Sequence, residues 1–117
     1  MGRPVVHFEI MGEDGARLRA FYRALFDWEI DADNPHDYGV VATAEGGIGG
    51  GVGGVVDGQS PHVTVYVEVP DVEAALARVE QLGGRRLMGP EEIMPGLEIG
   101  MLHDPSGNLL GVLRRQG

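Results

Sequence analysis

Adding 57 to a residue number lays one half of this chain over the other without a gap. VHFEIMGED, from Val6 to Asp14, falls on VTVYVEVPD, from Val63 to Asp71, and further on Leu25 meets Leu82. An internal repeat fixes the unit of folding before any residue is considered singly. Each copy opens with a run of β-branched and aromatic residues and then changes to a 3.6-residue period, which predicts a strand followed by a helix.

In the second copy Asp71 is a helix N-cap, and Val72, Ala75, Leu76, Val79 and Leu82 form one apolar stripe. Gly83-Gly84 supplies a left-handed ending. In the first copy Asp14 is the cap, Leu18, Phe21, Tyr22 and Leu25 are the stripe, and Asp27 stands at the ending, where Asp tolerates the left-handed conformation better than most residues. Three extended pieces follow each helix: Trp28 to Asp31, Tyr38 to Thr43 and Gly47 to Gly53, then Arg85 to Glu91, Leu97 to His103 and Asn108 to Arg114. Asp104-Pro105-Ser106-Gly107 is a turn sequence between the last two. The expected fold is therefore α+β: two βαβββ modules, about 5–54 and 62–115 with a linker at 55–61, forming a curved eight-stranded mixed sheet around a central cavity. One helix covers one face of a sheet, so each module leaves the other face open toward that cavity.

Gly49 to Gly54, GGGVGG, matches the dinucleotide pattern G-x-G-x-x-G letter for letter. A phosphate loop needs a helix immediately after it to present free N–H groups, and Val55 to Pro61 reads as a loop. The stretch is better read as the closing strand of module one, where missing side chains suggest the close approach of another backbone or a ligand, or a loosely packed edge.

The 117 residues suit one domain, and at 43% hydrophobic they can bury an ordinary core. Nine arginines, no lysine and a net charge of -9 leave little with which to neutralise phosphates, so nucleic acid and anionic membrane are poor partners. No apolar run approaches the roughly 20 residues of a membrane span, and a soluble, cytoplasmic protein is expected. Without cysteine or lysine there is no thiol nucleophile and no Schiff base, and Ser60 and Ser106 lack a nucleophile elbow. Chemistry falls to the histidines, carboxylates and tyrosines, or to a bound metal.

The opening HFEI, the helix RAFYRALFDWE, the segment VTVYVEVPDVEAALARVEQLGG and the ending HDPSGNLLGVLR together resemble the vicinal oxygen chelate superfamily, which includes glyoxalase, fosfomycin-resistance enzymes, extradiol dioxygenases and bleomycin-binding proteins. The resemblance implies a cavity between modules, a homodimer, and metal ligands on the first and last strand of each module. His7 matches the first histidine ligand, but the other places hold Thr64, Gly111 and, in module one, a residue near Gly51. One histidine and one hydroxyl leave a divalent charge largely uncompensated, so the family metal site reads as dismantled and no cofactor is expected.

If His7 faces the cavity, alternation brings Glu9 with it, and His62, Thr64 and Tyr66 share a side. The family pattern adds Ile99, Met101 and His103. These eight residues are the candidate ligand-binding set, with Glu9 and His7 as candidate acid/base catalysts. Each has a plainer reading: His7 hydrogen-bonded between modules, Glu9 held by a structural partner, Tyr66 and Met101 as wall, His103 on the surface. Three functions follow: a metal-independent binder of a small organic molecule, a metal-dependent lyase, isomerase or dioxygenase using His7, Glu9 and His62 as ligands, or an interaction protein with a vestigial pocket.

Overall fold

The computed structural model describes residues 2–55 and 58–116, so Val56 and Asp57 of the expected linker lie outside the described residues. Strands β1 (Val5–Gly12), β2 (Ile30–Asp31), β3 (Gly39–Val41) and β4 (Gly49–Gly54) accompany helix α1 (Gly15–Phe26); β5 (His62–Glu68), β6 (Arg85–Met94), β7 (Leu97–His103) and β8 (Leu109–Arg115) accompany α2 (Val72–Gln81). The chain clusters into two compact units, a first of His7–Val63 and a second of Met1–Val6 with Thr64–Gly117.

In the first unit the strand order is β2-β3-β4-β1, and in the second it is β5-β8-β7-β6. β1 runs parallel to β4 and β5 parallel to β8, while the remaining pairs within each unit are antiparallel. A parallel pair requires a crossover, and the helix in each copy supplies it. GGGVGG is a strand, as its place in the repeat predicts.

Both helices begin as their sequences direct. Asp14 accepts a hydrogen bond from the Arg17 N–H at 3.1 Å and Asp71 one from the Ala74 N–H at 3.0 Å, each worth about 1 kcal/mol. α1 ends on Asp27 in the left-handed region (φ 58°), and Gly83 at φ 93° follows the end of α2.

The helix faces differ from the expected stripes. Leu18 and Tyr22 pack with Phe8, Ile10 and Trp28 around buried Ile30, Val41 and Val52, but Phe21 and Leu25 are more than half exposed. Arg19 is buried in their stead. In α2, Val72 and Leu76 are fully buried against Leu102 and Val112, while Leu82 lies beyond the helix end and is exposed. Periodicity marks which residues share a side of a helix; how far the sheet reaches beneath that side decides which are covered.

Candidate functional site

Alternation along β1 puts Phe8 and Ile10 against α1 and sends His7 and Glu9 to the opposite face. There the two side chains meet a residue that the sequence reading did not single out. Tyr38 precedes β3, and its hydroxyl donates to Glu9 Oε2 at 2.9 Å and stands 3.0 Å from His7 Nε2. The rings of His7 and Tyr38 are nearly parallel, with centroids 6.4 Å apart. The Asn-Pro-His-Asp run before Tyr38 is a turn signal that could have drawn attention to it.

Tyr38 also explains the glycines. A Cβ built on Gly51 would lie 1.7 Å from the phenol oxygen, so only glycine leaves the ring its place. On the other face of the same strand the Phe8 ring lies against Gly50. Gly50 and Gly51 are bare because the protein's own aromatic rings cover them, one on each face of the strand.

In the second unit a tyrosine ring again lies over a strand glycine. Tyr66 is buried, and its ring lies on Gly111, its partner in strand register, where a Cβ would come within 2.4 Å. Tyr66, Met101 and Leu113 form an apolar cluster with Ile99, Leu97, Leu109 and Met88 packed against it. This is the face away from the α2 cluster of Val72, Leu76, Leu102 and Val112. Thr64 is buried and donates its hydroxyl to the Leu109 carbonyl at 2.7 Å. His103 accepts from Arg85 at the surface (3.2 Å), and His62 Nδ1 donates to the Ser60 carbonyl at 3.1 Å. Of the eight predicted residues, His7 and Glu9 are joined through Tyr38 in the first unit, and Tyr66, Met101 and Ile99 are packed together in the second.

The family's ligand places do not fit a metal ion. His7 Nε2 faces Tyr38, Gly51 and Gly111 lie under tyrosine rings, and the Thr64 hydroxyl is spent on a backbone carbonyl. Among the described residues no group of three or more His, Cys, Asp or Glu side chains is placed to hold an ion, so His7, Glu9 and His62 are not gathered as ligands.

Two surface hollows lie away from these residues. One, of about 360 Å³, lies among Arg3, Glu68, Pro70, Arg114 and Arg115; the other, of about 270 Å³, is bounded by Glu29, Asp31, Val40 and Ala42. Glu68 is held below the usual carboxylate range by its hydrogen bond to Arg115, and Glu73 by Arg86. No helix among the described residues is long and apolar enough to cross a membrane.

Comparison with known proteins agrees with this architecture. Methylmalonyl-CoA epimerase from Mycobacterium tuberculosis superposes with a TM-score of 0.71 at 14% identity, covering 97% of this chain and 88% of that one. A glyoxalase/bleomycin resistance protein/dioxygenase superfamily member from Vibrio splendidus gives 0.66 at 17% identity, with 97% and 99% covered. At such identities the likeness is one of fold. A curated relative from Mycobacterium tuberculosis, "Putative glyoxylase CFP32", is 28% identical over 112 residues, which are 89% of this chain but only 42% of the relative. The chain thus spans less than half the length of the curated relatives it matches. The model of the glyoxalase-like domain matches residues 7–113, and the chain belongs to that family, within the vicinal oxygen chelate superfamily.

Proposed function

We propose that the protein binds a small organic molecule on the face of its first unit that carries His7, Tyr38 and Glu9, and does so without a metal at the family's ligand places. The observation that carries this reading is the Tyr38 phenol, which stands where a Gly51 side chain would project and takes up both His7 and Glu9. A few convergent polar groups are what fix a ligand's orientation in a small-molecule site. In this reading Glu9 is the proton acceptor and His7 its partner, which gives the site a modest acid/base capacity.

The name of the curated relatives sets the first probes, small dicarbonyl compounds and their thiol adducts. Thermal denaturation of chelator-treated protein across a panel of such molecules tests the proposal. A ligand near 100 times its Kd stabilises by about 2.7 kcal/mol, a readily measured rise in Tm. The rise should be lost in Glu9→Gln and Tyr38→Phe. A rise that appears only after a divalent ion is restored would contradict the metal-independent reading. Pairing of two copies, the habit of the family, belongs to the same proposal and is read by light scattering.

A further inference from the structure

We propose that the hollow of about 360 Å³ among Arg3, Glu68, Pro70, Arg114 and Arg115 in the second unit is a binding site for a small organic dianion, a phosphate monoester or a dicarboxylate. It shares no residue with the face of His7, Tyr38 and Glu9 and stands apart from the reading of that face.

The chain has nine arginines among eighteen acidic residues, so carboxylate partners are plentiful. Six arginine side chains have a partner: Arg19 binds Asp37, Arg86 binds Glu73, Arg115 binds Glu68, Arg23 the Ile30 carbonyl, Arg78 Gln81 and Arg85 His103. Among the described residues Arg3, Arg17 and Arg114 have none, and two of these three line the same hollow. Glu98, opposite Arg114 in strand register, forms no ion pair with it. Guanidinium groups repel one another. A fold that gathers three of them, in a chain of net charge -9, keeps an unfavourable arrangement that a bound anion relieves.

Backbone hydrogen bonds hold the arginines in place. The Glu68 N–H donates to the Pro4 carbonyl at 2.9 Å, which fastens the segment of Arg3 to the end of β5. The Val69 N–H donates to the Leu113 carbonyl at 2.9 Å, which does the same for the end of β8. Pro4 and Pro70 stiffen the walls. Arg115 is set by a fork, its Nε and Nη2 donating to the two oxygens of Glu68 at 3.0 and 3.1 Å. A guanidinium has further N–H groups beyond such a fork, so Arg115 keeps donors to spare.

The ligand class follows from charge and size. Glu68 is held ionised by Arg115, so three guanidinium groups and one carboxylate leave the hollow with two positive charges. Planar guanidinium forks match the paired oxygens of carboxylates and phosphates. Pro4, Val69 and Pro70 offer an apolar surface to a short carbon skeleton. The acidic remainder of the surface repels a polyanion, which restricts the site to small molecules.

NMR titration of the nitrogen-labelled full chain at constant ionic strength tests the proposal, with succinate, glycerol phosphate and, as an uncharged control, glycerol. Saturable shifts of the Glu68, Val69, Arg114 and Arg115 amides are expected with a dianion and not with glycerol. Saturation by glycerol phosphate alone assigns the site to phosphate monoesters, and by succinate alone to dicarboxylates. Arg3→Gln and Arg114→Gln should each raise Kd about two- to fivefold, the worth of one exposed charge pair. Arg17→Gln, an exposed arginine outside the hollow, should leave Kd unchanged. Should Arg114→Gln not fold, Arg3→Gln, at an exposed position, carries the comparison alone. No saturable shift with either dianion, equal saturation by glycerol, or a loss in Arg17→Gln as large as in Arg3→Gln would overturn the proposal.

Discussion

In the second unit Tyr66 lies on Gly111, its own partner in strand register, whereas in the first unit the residue in register with Gly51 is Glu9 and the covering ring comes from Tyr38, ahead of β3. The repeat makes Glu9 and Tyr66 equivalent positions, 57 residues apart. One copy thus holds a tyrosine that packs on its neighbour with apolar company, and the other holds a carboxylate that has imported a tyrosine from a loop. The lesson is that a duplicated scaffold can separate its tasks: the second copy is filled as core, and the first keeps a polar pair on the corresponding face.

The contrast can be broken most forcefully at the two tyrosines. Tyr66→Ala empties a buried aromatic site and should cost about 3–5 kcal/mol in urea unfolding, while Tyr38→Phe loses only hydrogen bonds and should cost about 1–2 kcal/mol. Equal losses would erase the distinction between core and site. The glycines beneath sharpen it: Gly111→Ala overpacks a closed cluster and should cost about 1–3 kcal/mol. The penalty for Gly51→Ala should fall in a Tyr38→Ala background, with a coupling of about 0.5–3 kcal/mol in the double-mutant cycle. Additive losses would mean that the phenol does not rest on Gly51.

Smaller effects test the helix endings and the surface. Asp27→Gly gives the first helix the kind of residue that follows the second, and removal of the left-handed penalty should raise stability by about 0.5–1 kcal/mol. The carboxylates of Glu68 and Glu73 are lowered by Arg115 and Arg86. A depressed carboxylate contributes stability that is present above its unfolded value and is lost as pH falls through its folded value. Arg115→Gln and Arg86→Gln should each return the partner's titration, followed by NMR, to the ordinary carboxylate range. Both pairs belong to the second unit, so the acid limb of its stability should soften while the His7–Tyr38 contact is untouched.

Much of this was legible because it is local or periodic. Asp14 and Asp71 as caps, the left-handed Asp27 and the closing strand in GGGVGG follow from spacing and alternation, and the family resemblance adds Ile99 and Met101 as inward-facing residues. What escaped depends on contacts distant in sequence. Nothing in the repeat marks Tyr38, since its role depends on a glycine 13 residues later and on side chains 29 and 31 residues earlier. The burial of Arg19 is equally hidden, because its reason is the left-handed Asp37, which propensity does not announce. The exposure of Phe21 and Leu25 was missed because a stripe records amphipathicity without recording what covers it.

The central claim is that tyrosine rings and a backbone carbonyl have taken over the places where the family binds its metal. Elemental analysis of the purified protein by mass spectrometry, before and after incubation with excess zinc, nickel, manganese and iron followed by desalting, tests it most directly. The account predicts no retained ion in stoichiometric amount from any of the four. Near one ion per chain, lost in His7→Ala, would contradict it.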